Sequence, residues 1–103
     1  MLESGLRLYE VIWKARFAEK VAVKHGVALA EVEEVLFGQP HVRLAEKGLV
    51  EGENLYVAYG RTEAGRYVVV FFIRKRPAAA LPISARDMTE AERRYFRAQK
   101  EAD

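Results

Sequence analysis

The sequence contains no cysteine, two histidines and a single tryptophan. Without thiols there is no disulfide scaffold, thiolate zinc site, iron–sulfur cluster or cysteine nucleophile. His25 and His41 are the whole imidazole supply. No His-rich or paired-carboxylate motif completes a metal site, so neither a metal nor another cofactor is expected. Long apolar runs are missing too: the longest, Tyr67 to Ile73, has seven residues, against the roughly twenty that a membrane span needs. The first seven residues carry Glu3 and no apolar stretch of signal-peptide length, which predicts a cytoplasmic protein with no membrane association. Three prolines and seven glycines are too few for a collagen-like or low-complexity chain.

What remains is a chain of 103 residues, half of them hydrophobic and 31% charged. That is enough for one hydrophobic core, so residues 1–103 are expected to form a single domain. The net charge of +2 conceals an asymmetry. Residues 1–60 hold 7 Lys/Arg against 9 acids, whereas residues 61–103 hold 10 against 6, placing the basic excess in the second half. Arg61, Arg66, Arg74, Arg76 and Arg86 outnumber Lys75 there. Arginine grips phosphate oxygens with two parallel N–H bonds, which favours a phosphate-binding surface. The competing reading is a set of solvated strand ends and turns.

Residues 6–13 are rich in β-branched and aromatic side chains and read as a first strand. Residues 14–24 turn helical, with Phe17/Val21 and Ala18/Ala22 at i, i+4 and His25-Gly26 as the stop. A second helix over 28–37 places Leu29, Val32, Leu36 and Phe37 on one stripe, away from Glu31, Glu33 and Glu34. Residues 41–44 form a short strand. A hairpin follows, 55–61 and 66–74, around Thr62-Glu63-Ala64-Gly65. Residues 68–73 have no polar alternate, so both faces of that strand should be covered and it belongs mid-sheet. Residues 81–85 make a further strand. Thr89 and Glu92 form a capping box that opens a last helix running to about Lys100. The expected class is α+β: a largely antiparallel sheet of four to five strands, two N-terminal helices and one C-terminal helix.

Three features carry a resemblance: Trp13 followed by Lys24-His25-Gly26-Val27, Ile83-Ser84-Ala85-Arg86 ending a strand, and Thr89-Glu90-Ala91-Glu92-Arg93-Arg94-Tyr95 opening the last helix. In order and register they resemble the BrnT family of type II toxin–antitoxin toxins, which share the RelE-like ribonuclease fold. The resemblance covers residues 9–96. It departs from the family where Trp-Asp-Pro is replaced by Trp13-Lys14-Ala15, where Val21 replaces an Asn, and where Leu81 replaces a strand Arg. The resemblance implies a metal-independent endoribonuclease that acts on RNA through Arg, Lys, His or Tyr on the open sheet face. It also implies a ribbon-helix-helix antitoxin as partner, in a homodimer or a toxin–antitoxin hetero-oligomer.

Metal-free RNA cleavage needs a group to activate the 2′-hydroxyl, a group to protonate the leaving oxygen and cations for the phosphorane. The candidates are Arg86 first, Arg76 and Arg74 next, His25 as the imidazole acid/base and Lys24 as a further cation. Each has a competing role. Lys24-His25-Gly26 also makes a good helix terminus, and Arg86 also suits an ion pair with Glu90 or Glu92. Trp13 reads as core, Ser84 as a strand-end hydroxyl, and Arg93, Arg94 and Arg97 as a solvated face or a contact for an acidic partner. If Arg61 pairs with Arg66, Arg74 lies roughly 27 Å from Arg66; Arg74, Arg76 and Leu81 then cluster at one rim. Arg61 and Arg66 lie at the other, where Arg66 is expected to contribute little. The alternative function is an RNA- or antitoxin-binding module of the same fold without catalysis, and a third is a structural protein.

Overall fold

The computed structural model describes residues 7–48 and 53–102, and of Val23 and Lys24 only the backbone. Strand β1 (Glu10–Val11) leads into α1 (Ala15–Glu19), which continues as one wide π-helical turn (Lys20–Lys24), and then into α2 (Leu29–Phe37). Four strands follow, β2 (His41–Glu46), β3 (Leu55–Arg61), β4 (Tyr67–Arg76) and β5 (Ala79–Asp87), and α3 (Glu90–Ala102) closes the chain. The five strands form one sheet in the order β1-β5-β4-β3-β2. All pairings are antiparallel except β1 with β5. The expected α+β class and the central place of residues 68–73 are both found.

The two-sided apolar run explains the layering. Val68, Val70 and Phe72 point to the face covered by α1, the π turn and α2, where they meet Val21, Val32 and Leu36. Val69 points to the other face, with Val57, Tyr59 and Phe96 of α3. Val32, Val35 and Leu36 of α2 are all at most 1% exposed, and burying such side chains is worth about 2 kcal/mol each. The helix sits so close to β3 that a Cβ on Gly60 would lie 2.9 Å from Val35 Cγ1. Only glycine fits there without pushing α2 away.

Three elements differ from the sequence expectation, each for a local reason. The first strand shrinks to two residues (Leu6 lies outside the described residues). Ile12 N–H donates to the Ala80 carbonyl at 2.8 Å; continuing the parallel ladder would require the N–H of Pro82, which proline lacks. The first helix is α-helical only to Glu19 and then widens, ending at His25 and at Gly26 with φ 66°. The hairpin register shifts by one: Arg61 pairs with Tyr67, not Arg66. Gly65, at φ 96°, absorbs the extra residue, and Thr62 closes the turn by bonding Arg66 through both its N–H and its Oγ1. A one-residue slip reverses a side chain's face, so Arg61 and Arg66 part company.

The helix ends hold as their residue types dictate. At α3, Thr89 Oγ1 accepts from the Glu92 N–H at 3.1 Å while Glu92 Oε1 accepts from the Thr89 N–H at 2.8 Å, the reciprocal pattern expected of Thr-x-x-Glu. At α2 only half of this exists: Glu31 reaches back to the Ala28 N–H at 3.0 Å, and alanine has no oxygen to return the bond. The three α2 acids are all engaged elsewhere. Glu31 meets Arg66, Glu33 accepts from Trp13 Nε1 at 2.9 Å, and Glu34 accepts from the Glu63 N–H at 3.1 Å.

Candidate functional site

The α3 side of the sheet collects the polar and aromatic chemistry. Alternation along each strand puts His41, Tyr59, Val69 and Arg86 in one row across β2 to β5, and Arg43, Val57, Phe71 and Ser84 in the next. Tyr95 descends from α3 onto the first row. His41 Nε2 and the Tyr95 hydroxyl are 2.9 Å apart, and Arg43 Nε donates to the Tyr59 hydroxyl at 3.1 Å. The three rings pack on one another, with centroids 5.0 to 6.1 Å apart. The Arg43 guanidinium lies over Tyr59 and Tyr95, 5.8 and 6.0 Å from their centroids. Arg43 is exposed while Tyr59 is buried, so the buried phenol fixes the direction of an exposed cation.

Arg86 stands on the same face, three strand spacings or roughly 14 Å from His41 at the Cα level. It is held by Glu92 through two parallel bonds, at 2.7 and 2.9 Å, and by the Asp87 carbonyl at 3.1 Å, above the Phe71 ring. The pairing with a helix carboxylate is therefore realised. Its charge holds the Glu92 carboxyl below its ordinary pKa, chiefly through the hydrogen bond. A guanidinium has five N–H donors; these contacts use three, leaving two for a ligand.

The other expected site residues lie elsewhere. Arg74 Nε donates to the Pro77 carbonyl at 3.0 Å and the guanidinium lies over Tyr56, on the helix-covered side. Arg76 pairs with Glu10. Both lie at the strand end near Leu81, but the register differs from the expected one: Ile73 pairs with Leu81 and Arg74 with Ala80, so Leu81 and Arg74 face opposite sides of the sheet. From Val69, the partner of Arg86, Arg74 is five residues along β4, roughly 17 Å. His25 caps the π turn in the helix layer, half-buried, with the sheet between it and Arg86. The side chain of Lys24 lies outside the described residues. The four candidates whose side chains are described therefore do not converge on one spot.

Arg66 proves to be a structural hub, contrary to the minor role expected for a turn residue. It bonds Asp87 at 2.7 and 3.3 Å, Glu31 at 3.0 Å and the Gly26 carbonyl at 3.0 Å. One side chain thus ties the β3–β4 turn to the end of β5, the start of α2 and the loop after the π turn. It holds the Asp87 carboxyl below its ordinary pKa, mainly by hydrogen bonding. Arg93 departs from the solvated-face expectation, being half-buried over Tyr67, whereas Arg97 and Arg94 are exposed as expected, Arg97 over the same ring and Arg94 beside Glu90.

A family model described as the ribonuclease toxin, BrnT, of type II toxin–antitoxin systems matches residues 13–92. The chain belongs to the BrnT family. Its fold is similar to the crystal structure of the Brucella abortus ribonuclease toxin BrnT, with a TM-score of 0.54 at 19% identity, covering 79% of this chain and 97% of that one. No protein with a curated function matches in sequence. Membership in a type II toxin–antitoxin family brings with it an antitoxin as protein partner. Among the described residues no helix is long and apolar enough to cross a membrane.

His41, Arg43, Tyr59 and Tyr95 escaped the sequence reading, although part of the signal was present. His41 and Arg43 are two apart on a strand and so share a face. Their partner Tyr95 is 54 residues from His41 in sequence, a proximity that only the packing of α3 on β2 supplies.

Proposed function

We propose that this BrnT-family chain is a metal-independent endoribonuclease whose working face is the α3 side of the sheet. The observation that carries the reading is the contact of His41, Tyr95, Tyr59 and Arg43, an imidazole, two phenols and an exposed guanidinium, on the face that also presents Arg86. In the reaction the RNA 2′-oxygen attacks the adjacent phosphorus and the bond to the 5′-oxygen breaks, giving a 2′,3′-cyclic phosphate and a 5′-hydroxyl. One proton leaves the 2′-oxygen and one reaches the 5′-oxygen. Tyr95 and His41, 2.9 Å apart, form a pair that accepts the first and returns the second, since imidazole exchanges its proton near neutral pH. Arg43, with four donors left after its bond to Tyr59, meets the charge developing on the phosphorane. Arg86 grips the strand farther along, locked in direction by Glu92. The antitoxin partner is of the ribbon-helix-helix type.

Leu81 supports this division of labour. It stands where the family resemblance places an Arg, and it is 7% exposed, so that position supplies an apolar side chain in place of a cation. The test is cleavage of a structured RNA by the purified protein with and without a chelator, with product ends identified. Cyclic-phosphate ends formed equally in both, and lost in His41→Gln and Tyr95→Phe at unchanged thermal stability, is the expected result. Cleavage that stops with the chelator overturns the metal-free mechanism; RNA binding without cleavage returns the chain to the binding-module reading.

A further inference from the structure

Beside the His41–Tyr95 pair lies a second concentration of cations that the cleavage scheme does not use. Arg93, Arg61 and Arg97 place their guanidinium carbons 4.4, 4.7 and 5.3 Å from the centre of one ring, Tyr67. None of them takes part in the ion pairs found among the described residues, which employ Arg66, Arg76, Arg86 and Arg94. Arg93 Nε, behind the ring, is buried with no hydrogen-bond partner among the described residues, an arrangement that costs stability unless something else supplies an acceptor. Tyr67 responds to this field. Its pKa is drawn below that of an ordinary phenol by the Arg97 hydrogen bond and the charges of Arg61, Arg97 and Arg93, against opposing desolvation.

In front of Tyr67 a cleft of about 430 Å³ opens between α3 and the end of β3, lined by Arg61, Arg97, Lys100, Phe96 and Pro40, with Glu101 as its one carboxylate. Its wall includes Gln39, held at a left-handed φ of 61°, whose carbonyl accepts from Lys100 at 3.1 Å. Arg61 and Arg97, which have no carboxylate partner among the described residues, and the Lys100 ammonium make a site for an anion in this cleft, and planar forks of N–H groups match phosphate oxygens best. The location selects the source of that phosphate. Arg61 is two residues beyond Tyr59 on the same strand and face, roughly 7 Å from the His41–Tyr95 row.

We infer that the cleft formed by Arg61, Tyr67, Arg97 and Lys100 is a phosphate subsite for the RNA chain, next to the cleavage centre and separate from it. The inference rests on the ribonuclease reading for its ligand but not for its chemistry, and the two fail separately. The probe is a short 2′-O-methyl RNA, which cannot be cleaved. Its affinity is measured for the wild type and for Arg61→Ala, Arg97→Ala, Arg97→Lys and Arg76→Ala, where Arg76 is paired with Glu10 at the far rim, with thermal unfolding as control. Arg61→Ala and Arg97→Ala should each weaken binding about tenfold, the loss of one charge-assisted contact. Arg97→Lys should recover part of it, and Arg76→Ala should bind like the wild type. A second arm follows phenolate absorbance against pH with and without inorganic phosphate. Phosphate should move the Tyr67 transition to higher pH, and Tyr67→Phe should abolish that component.

Unchanged RNA affinity in both Arg61→Ala and Arg97→Ala overturns the subsite, even if RNA is cleaved. A cleft that takes a polyglutamate peptide in preference to the RNA overturns it in favour of an acidic protein segment. Weakened binding in Arg61→Ala and Arg97→Ala of a wild type that does not cleave leaves the subsite standing and removes the cleavage mechanism alone.

Discussion

Arg66 and Arg97 occupy the same end of the sheet and have opposite environments. Arg66 reaches to the helix-covered side, where two carboxylates and a backbone carbonyl take up its donors. Arg97 reaches to the α3 side, where it meets a phenol, two further guanidiniums and open space. The difference separates two uses of the same residue type. A guanidinium whose donors are consumed within the chain fastens elements together. One whose donors remain open beside others like it is left to water or to an anion from outside.

The largest effect expected on the open side is on rate. Tyr95→Phe keeps the ring packed on His41 and Tyr59 and removes only the hydroxyl. Cleavage should fall by about 10² to 10⁴, the usual contribution of a positioned proton-transfer group, with the melting temperature unchanged, as rapid-quench assays and calorimetry would show. Equal cleavage by the variant would move the chemistry off this pair. On the fastened side the largest effect is on stability. Arg66→Ala leaves the Gly26 carbonyl, Glu31 and Asp87 without their cation and should cost about 2 kcal/mol, roughly 10 °C in melting temperature for a chain of this size. A shift of under 2 °C would return Arg66 to an ordinary turn residue.

Acid should expose the same division. Asp87 and Glu92 have folded-state pKa values depressed below 3.8 and 4.5, by Arg66 and Arg86 respectively. A depressed carboxylate contributes stability that is complete above its unfolded pKa and is lost as pH falls through the folded one. The melting temperature should therefore be insensitive to these groups near neutrality and decline below about pH 4.5. Glu92→Gln should reduce that decline and lower stability at pH 7; an unaltered acid profile would show that the Arg86 bond adds nothing. The smallest effect lies at α2. Ala28→Asp supplies the oxygen that the half-formed capping box lacks and should stabilise by about 1 kcal/mol in denaturant titration.

The elements that sequence patterns identified are those whose causes are local. Residues 68–73 announce a central strand because no alternate position is polar, and Thr89-Glu90-Ala91-Glu92 announces a helix start because both partners of the capping box lie within four residues. The register of the hairpin was hidden, since it depends on whether Gly65 is counted in the turn or in the strand, and that choice sends Arg61 and Arg66 to opposite faces. The candidate site was hidden further. Arg86 was identifiable from the Ser84-Ala85-Arg86 resemblance, but Tyr67 and Arg97 are thirty residues apart and only meet where α3 crosses the start of β4. Arg74 and Arg76 belong to a basic run, a pattern that does not distinguish a cation with a partner, as Arg76 has in Glu10, from one open to a ligand.

The most direct test of this division is the salt dependence of uncleavable RNA binding in Arg97→Ala and Arg66→Ala, measured beside the wild type. Each phosphate contact to a single strand contributes about 0.7 to the slope of log affinity against log salt. Arg97→Ala should reduce that slope by about 0.7 and leave the melting temperature in place, while Arg66→Ala should keep the wild-type slope and melt earlier. Equal slopes for all three proteins, or a reduced slope in Arg66→Ala alone, would contradict the assignment of RNA binding to the α3 face.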